Sequence, residues 1–159
     1  MSGRSRAPLL VLLFGLQLTG AALAAPVAYL EIGDGTATCG GPLPEDGRFG
    51  YTYTQSVYGA RVEEELATGE RGLSIRRARS SDIRAVEYFR WEGQIREDER
   101  GFVQEAPPNE VEQLVIRISP EYGQRVGTER WSCDLPAHFG DGVVTVRRSV
   151  RPAVLAGRG

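Results

Sequence analysis

Lysine is absent from this chain of 159 residues, histidine and methionine occur once each, and cysteine occurs twice. All the basic side chains are therefore arginine, which GC-rich coding accounts for and which carries no functional weight. The single histidine, His138 in "PAHFGDG", precedes a turn, where a surface or capping role is the ordinary one. No His-Glu-x-x-His motif, Gly-x-Ser-x-Gly elbow or phosphate loop is present. Two cysteines without a histidine nearby make a poor zinc site, because structural zinc normally takes four ligands. No catalytic residue, cofactor or metal is expected.

Long apolar runs are also missing. Leu9 to Leu18 is the longest, broken by Gln17 and followed by Thr19, and it is too short to span about 30 Å of hydrocarbon comfortably. Arg4 and Arg6 precede it and Ala22-Leu23-Ala24 follows, the layout of a cleaved secretory leader over residues 1–24. No cysteine follows the run at once, so a lipid anchor is not expected. The chain is read as exported, periplasmic or secreted, with no stable membrane insertion after cleavage. Loss of the leader removes two arginines and no acid, leaving 17 Arg against 21 Asp and Glu, a net charge of −4. That balance points to neither nucleic acid nor an anionic membrane as partner.

What is present is β-type patterning. Period-2 segments rich in Val, Ile, Tyr, Phe and Thr recur at Val27–Ile32, Phe49–Val57, Arg61–Ala67, Leu73–Ala78, Arg84–Phe89, Gln113–Ser119, Arg125–Ser132 and Val143–Arg148. Glu92 to Glu112 is expected to be a hairpin arm or long loop. The Gly- and Pro-rich stretch Gly33–Arg48 is expected to run irregularly along the surface, tied down by Cys39. The spacing predicts a single all-β domain over residues 25–150, an antiparallel sandwich or partly closed barrel, with a flexible tail at 151–159. An even cysteine count in an exported chain favours a Cys39–Cys133 disulfide, with Trp131 covering it.

The stretch "YTYTQSVYGARVEEEL", Tyr51 to Leu66, carries the candidate site. Alternation places Phe49, Tyr51, Tyr53, Gln55 and Val57 on one face and Val62, Glu64 and Leu66 together on the next strand. A two-residue turn at Gly59-Ala60 would set Val57 against Val62, Gln55 against Glu64 and Tyr53 against Leu66. Ile75 would then face Glu64, with Arg77 diagonally adjacent as its counter-charge. The expected cluster is Gln55–Glu64–Arg77, either a satisfied buried network that fixes register or the floor of a pocket for a small polar ligand. The aromatic run Tyr88, Phe89 and Trp91 is a candidate protein interface, or a strand packing its rings on the core.

On these residues the chain resembles DUF1850, a family of small exported domains. Members carry a Tyr-Thr-His-Ser-Val pattern, a few turn residues and Val-Glu-Glu; here these read Tyr53-Thr54-Gln55-Ser56-Val57 and Val62-Glu63-Glu64. The likeness extends more loosely from Phe49 to Arg148. Gln55 stands in place of the histidine, so acid–base chemistry or metal ligation at that position does not carry over. The glycine-rich stretch usual after the third strand reads Ser80-Ser81-Asp82-Ile83. The resemblance implies an accessory envelope role, with a TRAP-type membrane transporter or its solute-binding protein as partner. The chain is thus read as a non-catalytic accessory or binding module, with Gln55, Ser56, Glu64 and Arg77 as ligand-binding residues. A small enzyme using inward carboxylates and a purely structural interaction domain are the alternatives.

Overall fold

A computed structural model describes residues 25–152. The expected leader, and the tail from residue 153 on, lie outside the described residues. Two antiparallel sheets pack face to face. One has four strands in the order β2 (Thr38–Pro42), β1 (Pro26–Gly33), β11 (Gly142–Pro152) and β8 (Gln113–Ile118). The other has seven: β10 (Ser132–Asp134), β9 (Arg125–Gly127), β3 (Arg48–Gln55), β4 (Ala60–Thr68), β5 (Leu73–Ser80), β7 (Gly101–Glu105) and β6 (Arg96–Asp98). Neither sheet closes on itself, so the fold is a sandwich and not a barrel. Among the described residues no helix is long and apolar enough to cross a membrane.

The core follows from the strand period. Leu30 and Ile32 of β1, Val144 and Val146 of β11 and Ile118 of β8 face Phe49, Leu66, Leu73 and Val126 of the larger sheet. Their alternate neighbours point outward, as in Glu31, which pairs across the ladder with Arg147 and hydrogen-bonds Arg151 at 2.7 Å. Fully burying a side chain of this kind contributes about 1.5–3 kcal/mol. The strand face is therefore the unit that the hydrophobic pattern decides.

Four local expectations are corrected. Gly33–Arg48 is not wholly irregular, because its middle forms edge strand β2. Glycine suits that strand, since a Cβ on Gly41 would run into the Trp131 indole and one on Gly40 into the Leu30 carbonyl. Arg84–Phe89 is not a strand; Ile83–Glu87 forms the one-turn helix α1, with Asp82 as N-cap accepting from the Arg84 amide at 3.0 Å. Arg125–Ser132 is not one strand but the start of a hairpin, β9 turning into β10. Val57 belongs to a loop and is 56% exposed. The hairpin arm expected within Glu92–Glu112 is present as β6–β7.

Cys39 of β2 is disulfide-bonded to Cys133 of β10, with Cα atoms 6.3 Å apart. The bond joins the edge of one sheet to the edge of the other. Trp131 lies against Gly41 beside it and donates its indole N–H to the Pro42 carbonyl at 2.9 Å. A second short helix, α2 (Leu135–Phe139), follows β10, and its His138 ring lies 3.2 Å from the Thr38 carbonyl.

Candidate functional site

The faces of the β3–β4 hairpin are those the alternation predicts, but its register differs. Gln55 pairs with Ala60, Tyr53 with Val62, Tyr51 with Glu64 and Phe49 with Leu66. The connection is the four-residue loop Ser56–Gly59, not a Gly59-Ala60 turn. Gly59 closes it in the left-handed region at φ 64°, donating its N–H to the Gln55 carbonyl at 2.8 Å. Glu64 therefore faces Tyr51 where Gln55 was expected, a slide of four residues. An even slide keeps every side chain on its face, so Glu64 stays inward.

Arg77 does not join it. A β-bulge interrupts the β4–β5 ladder between Glu65 and Leu66, and past it Ala78, not Ile75, stands opposite Glu64. Arg77 is turned to the outer face, where its guanidinium meets Glu65 at 2.6 Å. The Gln55–Glu64–Arg77 cluster is thus replaced by a different one. Glu64, 8% exposed, accepts a hydrogen bond from the Tyr53 hydroxyl at 2.8 Å. Burial pushes the Glu64 carboxyl above the ordinary carboxylate range, and the Tyr53 hydrogen bond partly opposes this. Burial likewise raises the Tyr53 phenol, as does the neighbouring acid. Tyr51, stacked on Tyr53 with ring centroids 4.8 Å apart, is pushed up to about 12, chiefly by burial.

These tyrosines form one wall of a cleft of about 390 Å³ at an end of the sandwich. Gln55 and Ser56 line it from the end of β3, Tyr88 and Phe89 from the residues after α1, and Tyr122 and Gln124 from the β8–β9 connection. Two separately expected groups, Gln55 with Ser56 and Tyr88 with Phe89, therefore meet in one place. Trp91 stands behind Phe89, ring centroids 4.5 Å apart, and does not line the cleft. Gln55 is buried, and its side-chain N–H reaches the Ala85 carbonyl at 3.4 Å. Its Oε1 has no partner among the described residues. Tyr88 is 54% exposed and meets Tyr58 edge-on at 6.4 Å.

Tyr122 and Gln124 are absent from the sequence expectation. Gln124 is buried; its Nε2 donates to the Tyr51 hydroxyl at 2.7 Å and to the Arg117 carbonyl at 2.9 Å, and its Oε1 accepts from the Ser119 amide at 2.7 Å. The available signal was the turn "SPEYGQ", which brings a tyrosine and a glutamine back beside the aromatic strand. A larger cavity of about 640 Å³ lies on the outer face of the seven-stranded sheet. Its central charges pair with one another: Arg48 with Glu65 at 3.1 Å, Arg100 with Glu63 at 2.7 Å, and Arg79 with Asp98. That face is an ionic ladder, whereas the cleft holds one of the three buried polar atoms that lack a partner among the described residues, Gln55 Oε1; the others, on Gln104 and Ser149, lie away from it.

No family model, curated protein or solved structure matches the chain.

Proposed function

We propose that this chain is an exported, non-catalytic binding module that takes a small ligand in the Tyr51–Tyr53–Tyr88 cleft. The observation that supports the reading is Glu64: a buried acid whose one hydrogen bond comes from Tyr53, a tyrosine whose ring lines an open cleft. An acid buried without a cation costs several kcal/mol, and a fold that only needed to pack β4 would place a leucine there. The leader-like N-terminus and the disulfide agree with export. The resemblance to DUF1850 supports an accessory role beside a TRAP-type transporter or its solute-binding protein. Glu64 is the sole buried acid among the described residues, whereas a glycosidase-type mechanism uses two facing carboxyls.

Thermal unfolding with a panel of small acids, sugars and amines tests the reading. A ligand at about one hundred times its Kd stabilises by about 2.7 kcal/mol, so a saturable rise in melting temperature is expected for the wild type and a smaller one for Tyr88→Ala. A melting temperature unmoved by every class rejects it.

A second reading rests on exposed apolar side chains of the Ser56–Gly59 loop and of the α1 segment, of which Tyr88 lines the cleft and Tyr58 packs against Tyr88. Val57 is 56% exposed, Tyr58 38%, Ile83 38% and Tyr88 54%. Such a patch suits a protein partner. Cross-linking from position 57, with transport proteins as prey, separates the two: capture that persists in Glu64→Gln and is lost in Tyr58→Ser favours the interface.

A further inference from the structure

Resting on the binding reading above, we infer that the cleft selects a small organic cation: an alkylammonium group held against tyrosine faces, with Glu64 as its counter-charge. Three features lead there. Glu64 does not itself line the cleft; it lies behind Tyr53, bound to that hydroxyl, with no cation beside it among the described residues. The arginine expected beside it is committed to Glu65 on the opposite face, and Ala78 occupies the ladder position across from it. Gln55, at the cleft wall, holds a buried acceptor, Oε1, that lacks a donor among the described residues. The walls are the rings of Tyr51, Tyr53, Tyr88 and Phe89, and aromatic faces attract ammonium groups through their quadrupole.

An anion finds much less. The side-chain amide of Gln124 gives its N–H groups to Tyr51 and the Arg117 carbonyl, and that of Gln55 is directed at Ala85. Arg84, close by, is held by Asp82 at 2.6 Å and rests over the Tyr58 ring. Among the described residues Arg117 is the one cationic side chain lining the cleft, and it is exposed, on a strand whose inward side chains include Ile116 and Ile118. Among the described residues the site therefore combines π-faces and one unclaimed acceptor with a single rim arginine, and its acid stands one hydrogen bond behind the wall, on Tyr53. A neutral ligand of the same shape would gain the apolar contact but leave the acid uncompensated.

Calorimetric titration of the full chain with choline, its uncharged isostere 3,3-dimethylbutan-1-ol, and malonate tests this. Choline is expected to bind, the alcohol about tenfold more weakly, and malonate not measurably. Glu64→Gln should bring choline down to the level of the alcohol. Because Glu64 is buried, Tyr88→Ala serves as the second variant: Tyr88 is mostly exposed, so the fold should survive while choline weakens about tenfold. Equal binding of choline and the alcohol, or binding of malonate in their place, overturns the cation inference and leaves the cleft a binding site. No heat with any of the three overturns the binding reading as well.

Discussion

Tyr53 and Glu64 share a hydrogen bond of 2.8 Å although they are not ladder partners: Tyr53 stands opposite Val62, and Glu64 opposite Tyr51. The contact is diagonal, a distance that aromatic and other long side chains can bridge. It ties the burial of the acid to the wall of the cleft. Tyr53→Phe keeps the ring and removes the donor, leaving a buried carboxyl without a partner. A loss of about 1–3 kcal/mol is expected at neutral pH, read by urea unfolding; an unchanged midpoint would show that the bond is not made.

Glu64 also sets a pH dependence. Its folded pKa lies above the unfolded value of 4.5, so the folded state holds the proton more tightly. Its favourable contribution is greatest in acid and declines as pH rises from 4.5 towards the folded value, then levels off. Glu64→Gln has no such decline. The stability of wild type relative to the variant should fall across that window, and a constant difference between pH 4 and 8 would contradict the buried position.

Gly41 is held against the Trp131 indole. Gly41→Ala pushes a methyl into that ring, and the indole can yield only by giving up its bond to the Pro42 carbonyl. About 1–3 kcal/mol of destabilisation is expected, together with a shift in tryptophan fluorescence. Gly35→Ala, where no atom lies within 4 Å of the added carbon but φ is 94°, tests backbone strain alone and should leave the fluorescence unmoved.

The disulfide spans 94 residues of sequence. Chain entropy assigns such a loop about 4–5 kcal/mol. The Cys39→Ser, Cys133→Ser double variant should unfold at lower urea by an amount of that order. Mass measurement of the wild type under denaturing conditions, before and after reductant, should differ by two hydrogens.

The faces of β3 and β4 were legible because alternation depends only on local pattern, which Phe49, Tyr51 and Tyr53 repeat on β3 and Val62 and Leu66 frame on either side of Glu64 on β4. Register was not, because it depends on the turn. Gly59 suits two kinds of loop, and only the four-residue one places it last. Arg77 was misplaced by a bulge that leaves no mark in "GLSIRRA", since Ile75 and Ala78 both suit the core. Arg84–Phe89 alternates well enough to pass for a strand, yet Ala85 and Val86 are buried side by side, as a single helical turn allows and a strand does not. The N-cap Asp82 was the sign available. The cleft itself needed Tyr122 and Gln124, which lie about seventy residues from Tyr51 and are brought to it by β9 pairing with β3.

The covalent ring from Cys39 to Cys133 leaves β1 and β11 outside it, and those two strands pair with each other from Pro26 opposite Pro152 to Gly33 opposite Thr145. Tension applied at residues 26 and 152 therefore loads neighbouring ends of an antiparallel ladder. The hydrogen bonds part in succession, each bearing the load alone, and at low force. Once they have opened, the load passes from residue 39 across the sulfur bridge to residue 133. The seven-stranded sheet, with the hairpin that carries Tyr53 and Glu64, is mechanically shunted: in the oxidised protein it bears almost none of the pull.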